Sequence, residues 1–238
     1  MQKTNQLPNP AWLPHGLALK AYSEGNKKAA IAIHMDDDTV TYMPVEIYFR
    51  TESGFPEIEK IALKLCKGSV LDVGAGAGAH SLVLQKKHQV VALDISNDGV
   101  EIMKELGVKQ PVCDDFLKYL SDQKFDTLLF LMNGIGVAGD LKGLENYLHQ
   151  AHLLTNKSGQ IILDSSDLRN GETELNFSTE YFGIFDYQLS FEDTLGSSYK
   201  WLYVDQELLA EIALSCGWNT EIIYEQEDGS YLARLVKS

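Results

Sequence analysis

Residues Val70 to Leu82 read V-L-D-V-G-A-G-A-G-A-H-S-L, an apolar strand that passes through alternating glycines into a helical stretch. No other segment constrains the fold as much. Gly74, Gly76 and Gly78 carry no Cβ, so the backbone can turn tightly there and press against a ligand. The loop ends at a helix N-terminus, where unpaired N–H groups and the helix dipole favour acidic or polar ligand atoms. Asp72 is an acid set in the strand two residues before the first glycine.

A dinucleotide fold does not call for a carboxylate at Asp72. A ligand with a positively charged amino-acid end would use one, directly or through water, which points to S-adenosylmethionine rather than NAD. One strand further on, Val90 to Asp94 is a β-rich run ending in an acid about twenty residues after Gly74. A carboxylate at that strand end can accept both ribose hydroxyls of an adenosine. The same spacing serves NAD, and Gly74, Gly76 and Ala79 also fit a loose G-x-G-x-x-A pattern. A nicotinamide-linked oxidoreductase, NAD- or NADP-dependent, is therefore the alternative at this point. Ala75 and Ile95, beside the glycines and Asp94, are counted among the cofactor-binding residues.

Cys113-Asp114-Asp115-Phe116 follows a third short strand, where an acid can accept the adenine amino hydrogens and Phe116 can flank the ring. Phe125 to Asn133 reads as a fourth buried strand ending in a polar residue, and Gly159 to Asp164 as a fifth. The chain finishes as helix, strand, turn and strand, with Asp228-Gly229 marking the reversal. Together these segments resemble the class I S-adenosylmethionine-dependent methyltransferases. Leu131 to Gly136 and Gln160 to Asp167 are similar to a bacterial, small-molecule-type branch of that superfamily. The resemblance implies an α/β fold: a doubly wound, Rossmann-like sheet of seven strands with its last strand antiparallel. It also implies a methyl donor at Asp72, Gly74, Ala75, Gly76, Gly78, Asp94, Ile95, Asp114, Asp115, Phe116, Met132 and Asn133. A donor-binding protein without turnover is a third reading.

Residues 54–238 are expected to form the core, with an insertion at about 171–204. Residues 1–53 form an N-terminal lid. In that segment Pro8, Pro10 and Pro14 break the start, Gly16 to Tyr22 forms a short helix, and Ala29 to His34 and Val45 to Phe49 are strand-like. Pro56 opens a helix stopped by Gly68. The insertion is rich in aromatics, with Phe177, Tyr181, Phe182, Phe185, Tyr187, Phe191, Tyr199, Trp201 and Tyr203, and Thr194 to Ser197 looks like a hairpin turn. Both additions are expected to cover the donor pocket, the hairpin being separable from the core. The alternatives are that the hairpin extends the sheet or makes a homodimer contact. Arg50, after the second strand-like run, is placed at the donor's carboxylate, where its planar fork suits a bidentate contact.

The formal net charge of −14 argues against a phosphate-backbone partner, which Lys and Arg clusters would bind. At 45% hydrophobic residues the 238-residue chain can build one large core. No stretch approaches membrane-spanning length, so a cytoplasmic enzyme with a small-molecule substrate is expected. Cys66, Cys113 and Cys216 read as reduced packing residues. Asp36-Asp37-Asp38 reads as a solvated turn and no metal site is assigned. Asn133, Asp164, Ser165, Ser166 and Asp167 stand at the ends of the fourth and fifth strands. None is assigned as the catalytic base. His80, His15 and His34 are secondary candidates for contact with donor or substrate.

Overall fold

The computed structural model describes residues 9–36, 38–170 and 181–238. Helix α1 (Leu13–Ser23) carries Pro14 in its first turn, where a missing N–H leaves no bond unmade, so Pro14 opens the helix rather than breaking the chain. Strands β1 (Ala30–Met35) and β2 (Val40–Pro44) pair antiparallel around the acidic turn, with Asp38 at φ 64°. Asp37 lies outside the described residues. The run Val45–Phe49, expected as a strand, is a 3-10 helix. Val45 N makes a last bond to Ala29 O, then the chain turns inward. Val45 becomes fully buried and Phe49 stacks on Tyr22 at 4.6 Å, so burial against α1 overrides β propensity.

The core follows as α2 (Glu57–Leu65), β3 (Ser69–Val73), α3 (Ala79–Leu84), β4 (Gln89–Asp94), α4 (Asn97–Glu105), β5 (Pro111–Cys113), β6 (Phe125–Phe130), α5 (Leu141–Leu154) and β7 (Thr155–Ser166). After the insertion come α6 (Gln206–Ser215), β11 (Trp218–Glu225) and β12 (Ser230–Lys237), the labels β8 to β10 belonging to the insertion below. The seven-stranded order is β11-β12-β7-β6-β3-β4-β5. Six strands run in one direction; only β12 is antiparallel, entering between β7 and β11. Helices start on side-chain caps: Ser96 accepts from Gly99 N, Asp140 from Gly143 N, and Asp205 from Glu207 and Leu208 N.

Alternation along the strands splits the core between the two sheet faces. Leu71, Leu128, Phe130, Ile161 and Leu163 pack with Leu144, Leu148, Leu209 and Trp218. Val70, Val90, Leu129 and Ile162 pack with Ile58, Ala62 and Leu84. The fourth core strand stops at Phe130, short of the expected Asn133, because Met132 and Asn133 take left-handed conformations (φ 62° and 53°). α2 ends at Leu65, before Gly68. Cys113 is exposed at the end of β5 and is not the packing residue expected; Cys66 and Cys216 are buried. Among the described residues no helix is long and apolar enough to cross a membrane.

The insertion contributes β8 (Ile184–Phe191), β9 (Thr194–Leu195) and β10 (Tyr199–Leu202), and these join the N-terminal strands in one antiparallel sheet, β10-β8-β1-β2, with β9 on β8. The tight reversal is Glu192-Asp193, with Glu192 at φ 48°, and the expected turn residues Thr194 and Leu195 form the short strand β9. Leu189 and Phe191 pack on Ala18 and Leu19 of α1. Tyr181, Ile184 and Leu202 belong to the main core, and the Tyr181 hydroxyl donates to Asp205 Oδ2 at 2.7 Å. The insertion thus packs into the main core at Tyr181, Ile184 and Leu202 and pairs with the N-terminal strands through β8. Phe177 lies outside the described residues.

Candidate functional site

The glycine loop leaves β3 with all three glycines in the left-handed region (Gly74 φ 72°, Gly76 φ 57°, Gly78 φ 83°). The amides of Gly74 and Ala75 both donate to Leu93 O of β4, which pins the turn. The three glycines have different surroundings. A Cβ on Gly78 would collide with Val108 and Met103 at 2.7 and 3.0 Å, so Gly78 is a packing glycine. A Cβ on Gly76 would come within 3.4 Å of the Tyr48 ring, while one on Gly74 would meet nothing within 4 Å. The loop is therefore open at Gly74 and roofed by Tyr48 at Gly76.

Asp94 closes β4 beside this loop. Its Oδ2 accepts Gly76 N at 2.7 Å and its Oδ1 accepts Ser96 N at 2.8 Å, each oxygen keeping a further lone pair. Burial pushes its carboxyl up to about 6 against these two N–H bonds. Ile95 next to it is 38% exposed. Asp114 N donates to Asp94 O, and the side chains of Asp114 and Asp115 accept from Asp115 N and Leu117 N in the following turn. Asp115 also pairs with Lys118. Phe116 turns into the core, 5.3 Å from Phe130 and 5.0 Å from Tyr147, instead of flanking an open pocket.

Beyond Gly74 the polar groups form a chain. Asp72 is 2% exposed and accepts Ser81 Oγ at 2.6 Å; burial raises its carboxyl. Arg50 Nη2 meets Glu59 Oε1 at 2.6 Å and lies 3.8 Å from Met132 Sδ, and Glu59 Oε2 meets His80 Nε2 at 2.9 Å. Asn133 N donates to Asp164 Oδ1 at 2.9 Å. Burial pushes Asp164 up to about 7, Glu59 adding to it and His80 opposing it. Asn133 Nδ2 donates to Leu202 O at 3.2 Å, while Asn133 Oδ1 is buried with no partner among the described residues. Two successive non-glycine residues in the left-handed region, beside such an orphan acceptor, mark a backbone held under strain.

The second sheet spans this ground. Register puts Phe185, Tyr187, Tyr199 and Trp201 on one face, the face that also carries Leu189 toward α1. At one end Tyr199 approaches Tyr48: burial raises the Tyr48 phenol, with Tyr199 and Asp94 adding and Arg50 opposing. At the other end Trp201 lies against Gly136, where a Cβ would sit 2.6 Å from its Nε1. The face thus reaches from the glycine loop to the turn after β6. His15 packs edge-on to Tyr48 at 4.7 Å and burial pushes it down to about 4, leaving it neutral at pH 7. His34 is on the opposite face, bonded to Ser190 Oγ at 2.8 Å.

The sequence reading passed over two of these residues. Glu59 is 3% exposed on α2, and its signal is an acid three residues before the buried Ala62, on the edge of the apolar stripe. Tyr48 lies in the run that was read as a strand, and strand alternation does not place it over the glycine loop.

The sequence profile of a family described as "Methyltransferase domain" matches residues 71–163. No functionally curated protein matches the sequence. Among solved structures, a S-adenosylmethionine-dependent methyltransferase from Bacteroides fragilis in complex with S-adenosyl-L-homocysteine is 34% identical. The match covers 98% of this chain and 99% of that one, with a TM-score of 0.88. The CcbJ methyltransferase from Streptomyces caelestis shares the fold at 14% identity, with 81% and 95% coverage and a TM-score of 0.61. The glycopeptide N-methyltransferase MtfA complexed with S-adenosyl-L-methionine shares it at 15% identity, with 76% and 93% coverage and a TM-score of 0.55. A 34% identical match over nearly the whole chain to an S-adenosyl-L-homocysteine complex removes the nicotinamide-linked alternative. The chain belongs to the S-adenosylmethionine-dependent methyltransferases of class I and uses S-adenosylmethionine as its methyl donor.

Proposed function

We propose that this enzyme methylates a small molecule, with the donor laid across the glycine loop under a lid made of the N-terminal segment and the insertion. The observation that supports the reading is the glycine loop itself: a Cβ on Gly74 would meet nothing within 4 Å, Tyr48 stands over Gly76, and the buried acids Asp72 and Asp94 stand at the ends of the two strands beside it. Asp94 accepts the ribose hydroxyls with the lone pairs its two backbone bonds leave free. Ile95, Asp114 and Asp115 flank the adenine, and Gly74, Ala75, Gly76 and Gly78 shape the loop. Asp72, Met132, Asn133 and Arg50 receive the methionine end. Arg50 is the guanidinium beside Met132, and Glu59 holds it in place. The sulfonium is already a good leaving group, so the protein's task is to align acceptor, methyl and sulfur.

A small acceptor is supported by Trp201 of β10, which lies against Gly136 in the turn after β6, beside the strand ends where open α/β sheets take their ligands. Methyl-labelled donor incubated with the enzyme and a cell extract split into small-molecule and macromolecular fractions tests this. Label is expected in the small-molecule fraction; label confined to protein or nucleic acid would overturn the reading.

A further inference from the structure

The aromatic face of the second sheet has a property its packing does not use. Tyr187, Tyr199 and Trp201 form a triangle, with ring centroids 6.2 to 6.4 Å apart. Tyr187 and Trp201 are near-parallel (18°), and Tyr199 stands edge-on to both (87° and 79°). Phe185 and Tyr203 extend the cluster, 5.9 Å apart, with the Tyr203 and Tyr187 hydroxyls 3.3 Å from each other. All five side chains are only half-buried, unlike Leu189 and Phe191 on the same face.

The acids near this face are Asp94, which acts on Tyr48 together with Tyr199, and Asp36, which acts on Tyr187. Glu59, Asp72, Asp94 and Asp164 lie around the strand ends, and Arg50 is the guanidinium among them, already paired with Glu59. Lys200 pairs in register with Asp186 on the other face of the sheet. Arg169 is tied to Asp167 and Asp205. An anionic acceptor would meet no unpaired cation among these groups on this face. A cation would meet π-faces, whose quadrupoles attract it, and the net charge of −14 would draw it in.

We propose that the acceptor is an aliphatic amine whose nitrogen is received by the half-buried face of Phe185, Tyr187, Tyr199, Trp201 and Tyr203. This rests on the donor site described above. The amine is drawn in as its ammonium and gives that proton to solvent water before transfer; the neutral amine's lone pair then forms the new N–C bond while the C–S bond breaks and its electron pair stays on sulfur. The positive charge passes from the sulfonium to the nitrogen, which leaves as a methylated ammonium with its proton still attached. No side chain has to remove a proton during transfer, in keeping with the lack of a histidine at the end of β6. The ring faces meet the charge where it develops, so they lower the barrier as well as bind the product.

Choline and its uncharged isostere 3,3-dimethylbutan-1-ol separate charge from shape. Each is titrated by calorimetry into the full-length protein saturated with S-adenosylhomocysteine. Choline is expected to bind about tenfold more tightly than the isostere, and Trp201→Leu and Tyr187→Leu are each expected to weaken choline by about 3- to 30-fold. S-adenosylhomocysteine affinity should stay within about twofold in both variants. Equal binding of the two probes, no saturable choline binding, or choline affinity unchanged in both variants would overturn the amine assignment. The comparison of probes on the unaltered protein stands even if a variant fails to fold. Failure of S-adenosylhomocysteine itself to bind would overturn the donor-site reading, and that outcome is seen before either probe is added.

Discussion

The amide of Gly76 donates to Asp94 Oδ2 at 2.7 Å, so the carboxylate that ends β4 holds the loop that leaves β3. One side chain thereby sets the shape of the glycine turn, and under the proposed donor site it also accepts the ribose hydroxyls. Asp94→Ala removes both functions. Affinity for S-adenosylhomocysteine should fall by about 1–3 kcal/mol, the cost of leaving polar partners unpaired. Calorimetric titration of the folded variant checks this; unchanged affinity would take Asp94 out of the site.

Gly74 and Gly107 both have φ between 70° and 90°, and a Cβ at either would meet nothing within 4 Å. Alanine at each should therefore cost a similar 1–2 kcal/mol of backbone strain, about the penalty of the left-handed region. Only Gly74→Ala should weaken donor-product binding, because only its Cβ enters the cradle. Denaturant unfolding measures the first effect and calorimetry the second. Equal affinity losses at the two positions would mean that strain, not space, is what matters.

Arg50 is held by Glu59 and by Ile47 O, with its guanidinium beside Met132. If it clamps the donor's carboxylate, S-adenosylhomocysteine affinity falls stepwise from Arg50 to Arg50→Lys to Arg50→Ala, because lysine keeps the charge and loses the fork. Binding of 5′-methylthioadenosine, which has no carboxylate, should change little. Equal losses for both ligands would mean that Arg50 acts through the lid instead.

Asp164 supplies a pH signature. Burial lifts its carboxyl to about 7, against about 3.9 in the unfolded chain. Between those values the folded protein holds a proton that the unfolded chain has lost. Its contribution to stability therefore falls as pH rises through that window and stays low above it. Asp164→Asn keeps an oxygen to accept Asn133 N–H and removes the titration. The variant's Tm relative to the unaltered protein should be higher at pH 8 than at pH 5; a pH-independent difference would contradict the assignment.

The central sheet was legible because its strands are apolar runs bounded by glycine or acid, and because both of their faces are covered. The acids Asp72 and Asp94 were legible by their position at strand ends, and both are buried there. Glu59 was not, since a single acid inside an amphipathic helix looks the same whether it faces water or a buried arginine. The pairing of β1 with β8 was not legible either: local pattern describes a strand but does not name a partner far along the chain. Val45 to Phe49 misled because β-branched and aromatic residues read as strand, while their burial against α1 was a tertiary fact.

Strand β1 reaches its partner β8 across a wide gap in the chain; His34 and Ser190, bonded across the pair, are 156 residues apart. At a synthesis rate of about 5–20 residues per second, the N-terminal hairpin waits roughly 8–30 s for that partner to be made. In that interval β3 to β7 have all been produced, so the glycine loop can settle before its cover arrives. The hairpin meanwhile keeps an open edge on which a second nascent chain could pair. The order of manufacture therefore leaves the β1–β2 hairpin without its neighbour until β8 is made, and the strands that complete the main sheet, β11 and β12, are made later still.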